Sequence, residues 1–272
     1  MLQEIKLPSL DNEYSISSAQ IEQFRKEGHT LTTGLLDHEE VKAYRQVLVE
    51  AAEKYNTEKR RMEDRDTYGK AFLQIMNLWR HDEQVKKFVL AKCFAKLAAK
   101  LLGVENVRLY HDQALFKEPG GGPTPWHQDQ YYWPIDTMNT VTMWMPLVDI
   151  NVDMGMLTFA SGSHTKGRIF NFEISDESEQ AYSDYVKENQ FEISRAQEMK
   201  AGDATWHYGY TIHNAPGNQS DTMREVMTII YFADGARIHQ PQNSWQVKDL
   251  EVWMMNTPVG EKIDTPLNPI VS

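Results

Sequence analysis

The chain has 272 residues, 41% of them apolar, a length that one large β-rich domain accommodates and a composition sufficient for a packed core. A formal charge of −11 argues against a nucleic-acid backbone or an anionic membrane surface as partner. One cysteine, Cys93, excludes an intramolecular disulfide and points to a reducing compartment. The opening MLQEIKLPSLDNEYS has no basic start followed by an apolar run, no stretch reaches the length of a membrane span, and the closing Asn268–Ser272 is not a peroxisomal address. These features predict a soluble, cytoplasmic protein; no motif specifies an oligomeric state.

Taken in chain order, SAQIEQFRKE (18–27) predicts a helix capped by Ser18 and stopped by Gly28. HTLTTGLL (29–36) reads as a strand. Asp37 with Glu40 forms a capping box that opens a second helix, running to about Tyr55 with Val41, Tyr44 and Leu48 on one face. The charged run TEKRRMEDRD predicts a solvated loop. Residues 83–102 read as one amphipathic helix, with Val85, Phe88, Phe94, Leu97 and Leu101 at helical spacing and Gly103 as the stop; Cys93 falls inside it as buried filler.

After Gly103 the texture changes to short β-branched and aromatic runs between turn-forming clusters. The predicted strands are 107–117, 125–130, 140–149, 156–160, 191–198, 203–207, 210–214 and 225–233. This pattern predicts a mainly β jelly roll, a double-stranded β-helix, with the N-terminal helices packed on one sheet. It divides a single domain into a helical cover (1–105), a jelly-roll core (106–235) and a C-terminal extension (236–272). Residues 161–190 interrupt the strands with a loop and a short helix, the form that a lid or substrate loop takes.

The chemistry is concentrated in His127-x-Asp129, a distant histidine, and Arg224. Residues two apart on a strand point the same way, so His127 and Asp129 can both face a barrel interior with Gln128 outward. Two imidazoles and one carboxylate form the facial set that holds non-haem Fe(II) with open positions. The third ligand can come from His207 or His213; ligand chemistry permits either. His38-x-Glu40 shows the same spacing at the start of a helix, where residues two apart do not face each other, and reads as a cap. Arg224, eleven residues after His213, offers a planar fork for a carboxylate.

On these residues the chain resembles the phytanoyl-CoA dioxygenase family of Fe(II)/2-oxoglutarate oxygenases. The matching text is YHDQ (110–113), KEPGGGPTPWHQDQYYW (117–133), TMWMPLVDINVDMGMLTFASGSH (142–164), GDATWHYGYTIHNAPGN (202–218) and Arg224. The resemblance implies that His127, Asp129 and His213 bind Fe(II) and that Arg224 holds the far carboxylate of 2-oxoglutarate. By its spacing His207 is left to pack or bond nearby. Family chemistry consumes O2 and 2-oxoglutarate, releases succinate and CO2, and oxidises a substrate C–H bond. An intact Asp129 favours hydroxylation, desaturation or ring closure, because related halogenases carry a small residue in its place.

If one face of strand 111–117 points inward, Gln113 and Lys117 can reach the co-substrate or substrate, against a Lys117 that simply ends the strand in solvent. Trp144, alternating with Thr142 and Pro146, either matches the inward aromatic with which the family flanks 2-oxoglutarate or packs in the core. Tyr131 and Trp133 either line the substrate mouth or close one end of the barrel; with Tyr132, Met143, Met145, Phe170 and Phe172 they predict a pocket suited to an apolar or mixed small molecule. Met154 with Gly155-Met156 reads as a turn, and His164 as a residue that orders its loop. Two other readings stand beside the oxygenase: a zinc hydrolase built on the same His/Asp/His set, and a silent family member that acts as a binding protein.

Overall fold

A computed structural model describes residues 7–271. The N-terminal part runs through α1 (Ser18–Glu27), β1 (His29–Thr32), α2 (His38–Tyr55), α3 (Thr67–Ala71), β2 (Leu73–Met76), α4 (Glu83–Val89) and α5 (Lys92–Leu102). Ser17, not Ser18, caps α1, its Oγ accepting from the Gln20 amide, and Gly28 closes the helix at φ 83°. The Asp37/Glu40 capping box forms as expected. The helix expected over 83–102 is two: Ala91 takes an extended conformation between α4 and α5. No proline or glycine lies there, so tertiary packing makes the turn, and it lets Phe88 meet Phe94 edge-on with ring centroids 5.1 Å apart.

The remaining elements are β3 (Val107–Phe116), β4 (Thr124–His127), β5 (Thr140–Pro146), β6 (Ile150–Asn151), β7 (Thr158–Ala160), α6 (Asp176–Glu188), β8 (Ile193–Arg195), β9 (Glu198–Met199), β10 (Ala204–Tyr208), β11 (His213–Ala215), β12 (Val226–Ala233), α7 (Ser244–Trp253) and β13 (Ile270–Val271). The major sheet has the order β1-β10-β5-β12-β3-β13, with β2 also paired to β3; the minor sheet is β4-β11-β7-β8; β6 and β9 form a separate ribbon. All pairings between strands are antiparallel among the described residues.

These two sheets are the jelly roll. Several predicted strands are shorter than expected, and 191–198 splits into β8 and β9, which pair in different sheets. Strands β2 and β13 and helix α7 were not expected; α7 lies in the C-terminal extension.

Alternation along the major sheet decides what it covers. Val141, Met143 and Met145 of β5, Trp206 of β10 and Ile229 of β12 belong to one buried cluster with Phe24, Leu48, Phe88, Phe94 and Leu101 of the helices. The helices therefore cover the outer face of the major sheet, as the sequence predicted. Met143 and Met145 are corrected accordingly: they serve this core, because Thr142 and Trp144, one residue away, take the opposite face.

Candidate active site

The inner face of the major sheet and the minor sheet enclose a cavity of about 1090 Å³. His127 ends β4 and His213 begins β11, and the two are directly opposed in register, with ring centroids 4.1 Å apart. Each imidazole is held by the backbone two residues before it: His127 Nδ1 donates to the Pro125 carbonyl at 2.7 Å, and His213 Nδ1 donates to the Thr211 carbonyl at 2.9 Å. A carbonyl only accepts, so both Nδ1 atoms carry the proton and both Nε2 lone pairs are left for a metal. Burial, with His127 and His207 nearby, holds the His213 ring well below its ordinary pKa and keeps it neutral.

Asp129 comes not from a strand but from a 3-10 turn over Asp129–Tyr132 that follows β4. The expected strand 125–130 thus stops at His127, and Gln128 does not face outward. It is 1% exposed; its amide donates to the carbonyls of Gly167 and Tyr210 and accepts from Ile169 N–H, tying the site to the 161–190 insertion. Asp129 Oδ1 lies 3.4 Å from His127 Nε2 and 3.7 Å from His213 Nε2. Ligands about 2.1 Å from a shared ion lie roughly 3.0–3.4 Å apart, so the set is a slightly expanded cage for one metal. Among the described residues it is the one group of three or more His, Cys, Asp or Glu side chains with this proximity.

Oδ2 of Asp129 faces the major sheet, where Thr142 Oγ1 donates to it at 3.0 Å and His207 Nε2 at 3.2 Å. A carboxylate accepts only, so His207 Nε2 carries the proton and cannot also offer a lone pair to the ion. His207 is therefore a support, as expected, and Thr142 is a second support that the sequence reading missed, although it shares a strand face with Trp144. Burial alone would raise the Asp129 carboxyl; the histidines around it outweigh burial and hold it well below the usual carboxylate range.

Arg224 lies just before β12 and is 2% exposed. Its main chain forms a reciprocal bridge with Lys117, each N–H to the other's carbonyl at 2.9 Å. The next residue, Glu225, is clamped by Arg45 of α2 at 2.6 and 2.7 Å. The guanidinium lies 5.3 Å from the Trp144 ring and donates from Nη1 to the Gly155 carbonyl at 2.5 Å, while its buried Nε has no partner. Burial pulls its pKa down to about 9, which leaves it charged at neutral pH. The Met154–Met156 turn is where predicted: Gly155 sits at φ 79°, and a Cβ there would stand 2.5 Å from the Pro216 carbonyl oxygen.

Lys117 is not a strand-end lysine in solvent. It is fully buried, its Nζ donates to the Gly122 carbonyl, and burial beside Arg224 pushes its pKa down to about 6. His111, Gln113 and Leu115 of β3 line the cavity, as do Trp144, Tyr131, Tyr132, Trp133 and Phe172. Phe170 does not; it packs on Tyr182 and Tyr185 of the insertion. His164 orders its loop, Nε2 bonding the Arg25 carbonyl at 3.1 Å, and His38 lies in the capped first turn of α2.

The insertion and α7 complete the enclosure. Trp245 Nε1 donates to Glu173 at 2.6 Å, the Tyr132 hydroxyl accepts from Ile174 N–H at 2.9 Å, and Gln246 donates to the Tyr131 carbonyl at 3.0 Å.

The sequence profile of the family described as Phytanoyl-CoA dioxygenase (PhyH) matches residues 24–226, which include all four residues of the metal and arginine set. The chain belongs to this family. A probable alpha-ketoglutarate-dependent hypophosphite dioxygenase of Stutzerimonas stutzeri is 26% identical over 172 residues, 61% of this chain and 59% of that protein. The chain thus spans a little over half the length of the curated relatives it matches.

Among solved structures, the non-heme alpha ketoglutarate dependent carbocyclase SnoK from nogalamycin biosynthesis superposes with a TM-score of 0.76 at 23% identity, over 98% of this chain and 100% of that one. The epimerase SnoN, in complex with Fe3+, alpha ketoglutarate and nogalamycin RO, gives a TM-score of 0.76 at 22% identity, over 93% of this chain and 98% of that one. These similarities show a shared jelly-roll fold.

Proposed function

We propose that the protein is an Fe(II)- and 2-oxoglutarate-dependent dioxygenase that oxidises a C–H bond of a small organic molecule and releases succinate and CO2. One observation carries this reading: a single cavity holds both the His127/Asp129/His213 cluster and a buried arginine whose Nε has no partner. A buried guanidinium without a carboxylate is costly, and a dicarboxylate co-substrate supplies the missing anion. The donor set fits iron. When bound, iron with 2-oxoglutarate and O2 supplies the oxidising power, coupled to decarboxylation of the co-substrate.

The chain's own residues place and protect. His127 and His213 present Nε2 from opposed strands, and Asp129 gives one oxygen while Thr142 and His207 fix the other. Arg224 grips the far carboxylate of 2-oxoglutarate, oriented by Gly155 and placed beside Trp144; Lys117, outside the cavity lining with its Nζ on the Gly122 carbonyl and its pKa pushed down to about 6, packs behind the arginine and brings no second charge to the co-substrate. The Gln113 amide is already committed to Gln74 and His111, so its part is in the cavity wall rather than on the co-substrate. Tyr131 and Trp133 bound the substrate space and help exclude water. The carbocyclase and epimerase outcomes of SnoK and SnoN support reading the reaction as C–H oxidation in general, with ring closure and desaturation beside hydroxylation. A cytoplasmic setting suits the buried Cys93 thiol, which burial pushes up to about 12.

The zinc-hydrolase reading leaves Arg224 without a task, and the binding-protein reading leaves a complete ligand set without one. Purified protein loaded with Fe(II) or with Zn(II), given 2-oxoglutarate and O2, separates all three. Succinate is expected with iron only; ester or amide hydrolysis with zinc and no succinate with iron would overturn the dioxygenase.

A further inference from the structure

The cavity has a polar wall that the iron and 2-oxoglutarate reading does not use. Tyr68 Oη donates to Gln74 Oε1 at 3.1 Å, Gln74 Nε2 donates to Gln113 Oε1 at 2.9 Å, and Gln113 Nε2 reaches His111 Nδ1 at 3.5 Å. An amide nitrogen only donates, so His111 Nδ1 accepts and the ring proton sits on Nε2. His111 lines the cavity at 2% exposure, and its Nε2 makes no hydrogen bond among the described residues. With Nδ1 facing Gln113, the Nε2 side of the ring is open to the cavity and can bond an acceptor on a ligand. Burial holds the ring at a pKa of about 3, so it stays neutral.

Helix α7 brings Asp249 to the same cavity, its Oδ2 accepting from Tyr110 Oη at 2.5 Å. Burial pushes this carboxyl up to about 7 against the pull of Tyr110, Lys248 and Trp253; it keeps acceptor capacity beyond the hydrogen bonds from Tyr110 and Trp253, and a cation set against it would hold it ionised. Around the opening stand the exposed carboxylates Asp66, Glu173, Asp176 and Glu177, and among the described lining residues Lys248 is the one ammonium. A cleft lined by one sign of charge concentrates ligands of the other and repels its own. The methionines expected to make this pocket apolar lie on the far side of the sheet.

Resting on the dioxygenase reading for the place of the reacting C–H bond, we propose that His111 and Asp249 are specificity-determining residues. The substrate they select is a small cationic molecule that sets an ammonium on Asp249 and an oxygen acceptor on His111. A CoA thioester, with its phosphates, is excluded by the acidic rim.

The test is thermal unfolding of the protein loaded with Fe(II) and 2-oxoglutarate under nitrogen. Ethanolamine, glucosamine and L-lysinamide are each titrated beside their N-acetyl forms, and palmitoyl-CoA is titrated separately. At least one amine is expected to raise the midpoint by ligand linkage, its N-acetyl form not. In Asp249→Asn the apparent affinity should fall about tenfold or more, as for a lost hydrogen bond to a charged group. The exposed pair Asp176→Asn/Glu177→Gln, which leaves the core untouched, should weaken amine binding at low salt and match wild type at high salt. Absence of a shift with every amine, a shift with palmitoyl-CoA, or an amine response unchanged in Asp249→Asn overturns the proposal. Failure of 2-oxoglutarate itself to stabilise the iron-loaded protein would instead indict the dioxygenase reading, and it is seen in the same titration before any amine is added.

Discussion

The two oxygens of Asp129 divide their work: Oδ1 faces the histidine nitrogens, and Oδ2 is fixed by Thr142 and His207. Removing the carboxylate takes away a proposed metal ligand and strands the donors aimed at it. Asp129→Ala is therefore expected to lose most iron-dependent 2-oxoglutarate turnover, measured as succinate; full activity would sink the ligand assignment. In the proposed reaction Arg224 acts at the other end of the co-substrate, where a planar fork matters more than bulk. Arg224→Gln should raise the apparent KM for 2-oxoglutarate by about tenfold to a hundredfold, the scale of a lost charge-assisted hydrogen bond. An unchanged KM would show that another group holds the carboxylate.

Between residue and fold, short irregular elements do the aiming. The turn before β7 carries Gly155, whose carbonyl orients Arg224 and whose α-carbon lies against the Pro216 carbonyl. Gly155→Ala adds a Cβ that would stand 3.4 Å from Arg224 Nη1, at a φ that L side chains rarely adopt. The expected result is a raised KM for 2-oxoglutarate together with a loss of about 1–3 kcal/mol in chemical denaturation, the usual cost of such strain. A raised KM without any change in stability would mean that the turn relaxes freely. The 3-10 turn after β4 does a similar job for Asp129, and the buried Gln128 side chain locks that turn to the insertion.

Across the whole molecule, the major sheet has two faces with separate tasks. Its outer face is held by the helices, and Phe94, fully buried there, packs against Phe88 and the sheet cluster. Phe94→Ala should cost about 3–5 kcal/mol of stability by urea unfolding. Because it lies across the sheet from the cavity, the KM for 2-oxoglutarate should stay near wild type at a temperature where the variant is folded. A large KM change at equal folded fraction would mean that the helical cover tunes the site. The inner face, closed by the insertion and α7, shapes the substrate space. Among the described residues no helix is long and apolar enough to cross a membrane.

Periodicity and spacing alone carried the helical cover, the jelly roll, and the candidacy of His127, Asp129 and Arg224, because an alternating strand and a pair of ligands two residues apart are local properties. The choice between His213 and His207 rested on family spacing, and only the register of β11 on β4 and the hydrogen bond from His207 to Asp129 give it a physical reason. Tertiary structure also decided that Asp129 sits on a turn, that Gln128 is buried, that Lys117 is hidden beside Arg224, and that Met143 and Met145 serve the outer core. These outcomes depend on which face of a strand meets which neighbour, a relation between segments distant in sequence that no local pattern encodes. The same holds for α7: its sequence offers no strong amphipathic stripe, and only its docking beside Tyr110 and Tyr131 turns Asp249 and Trp245 into cavity residues.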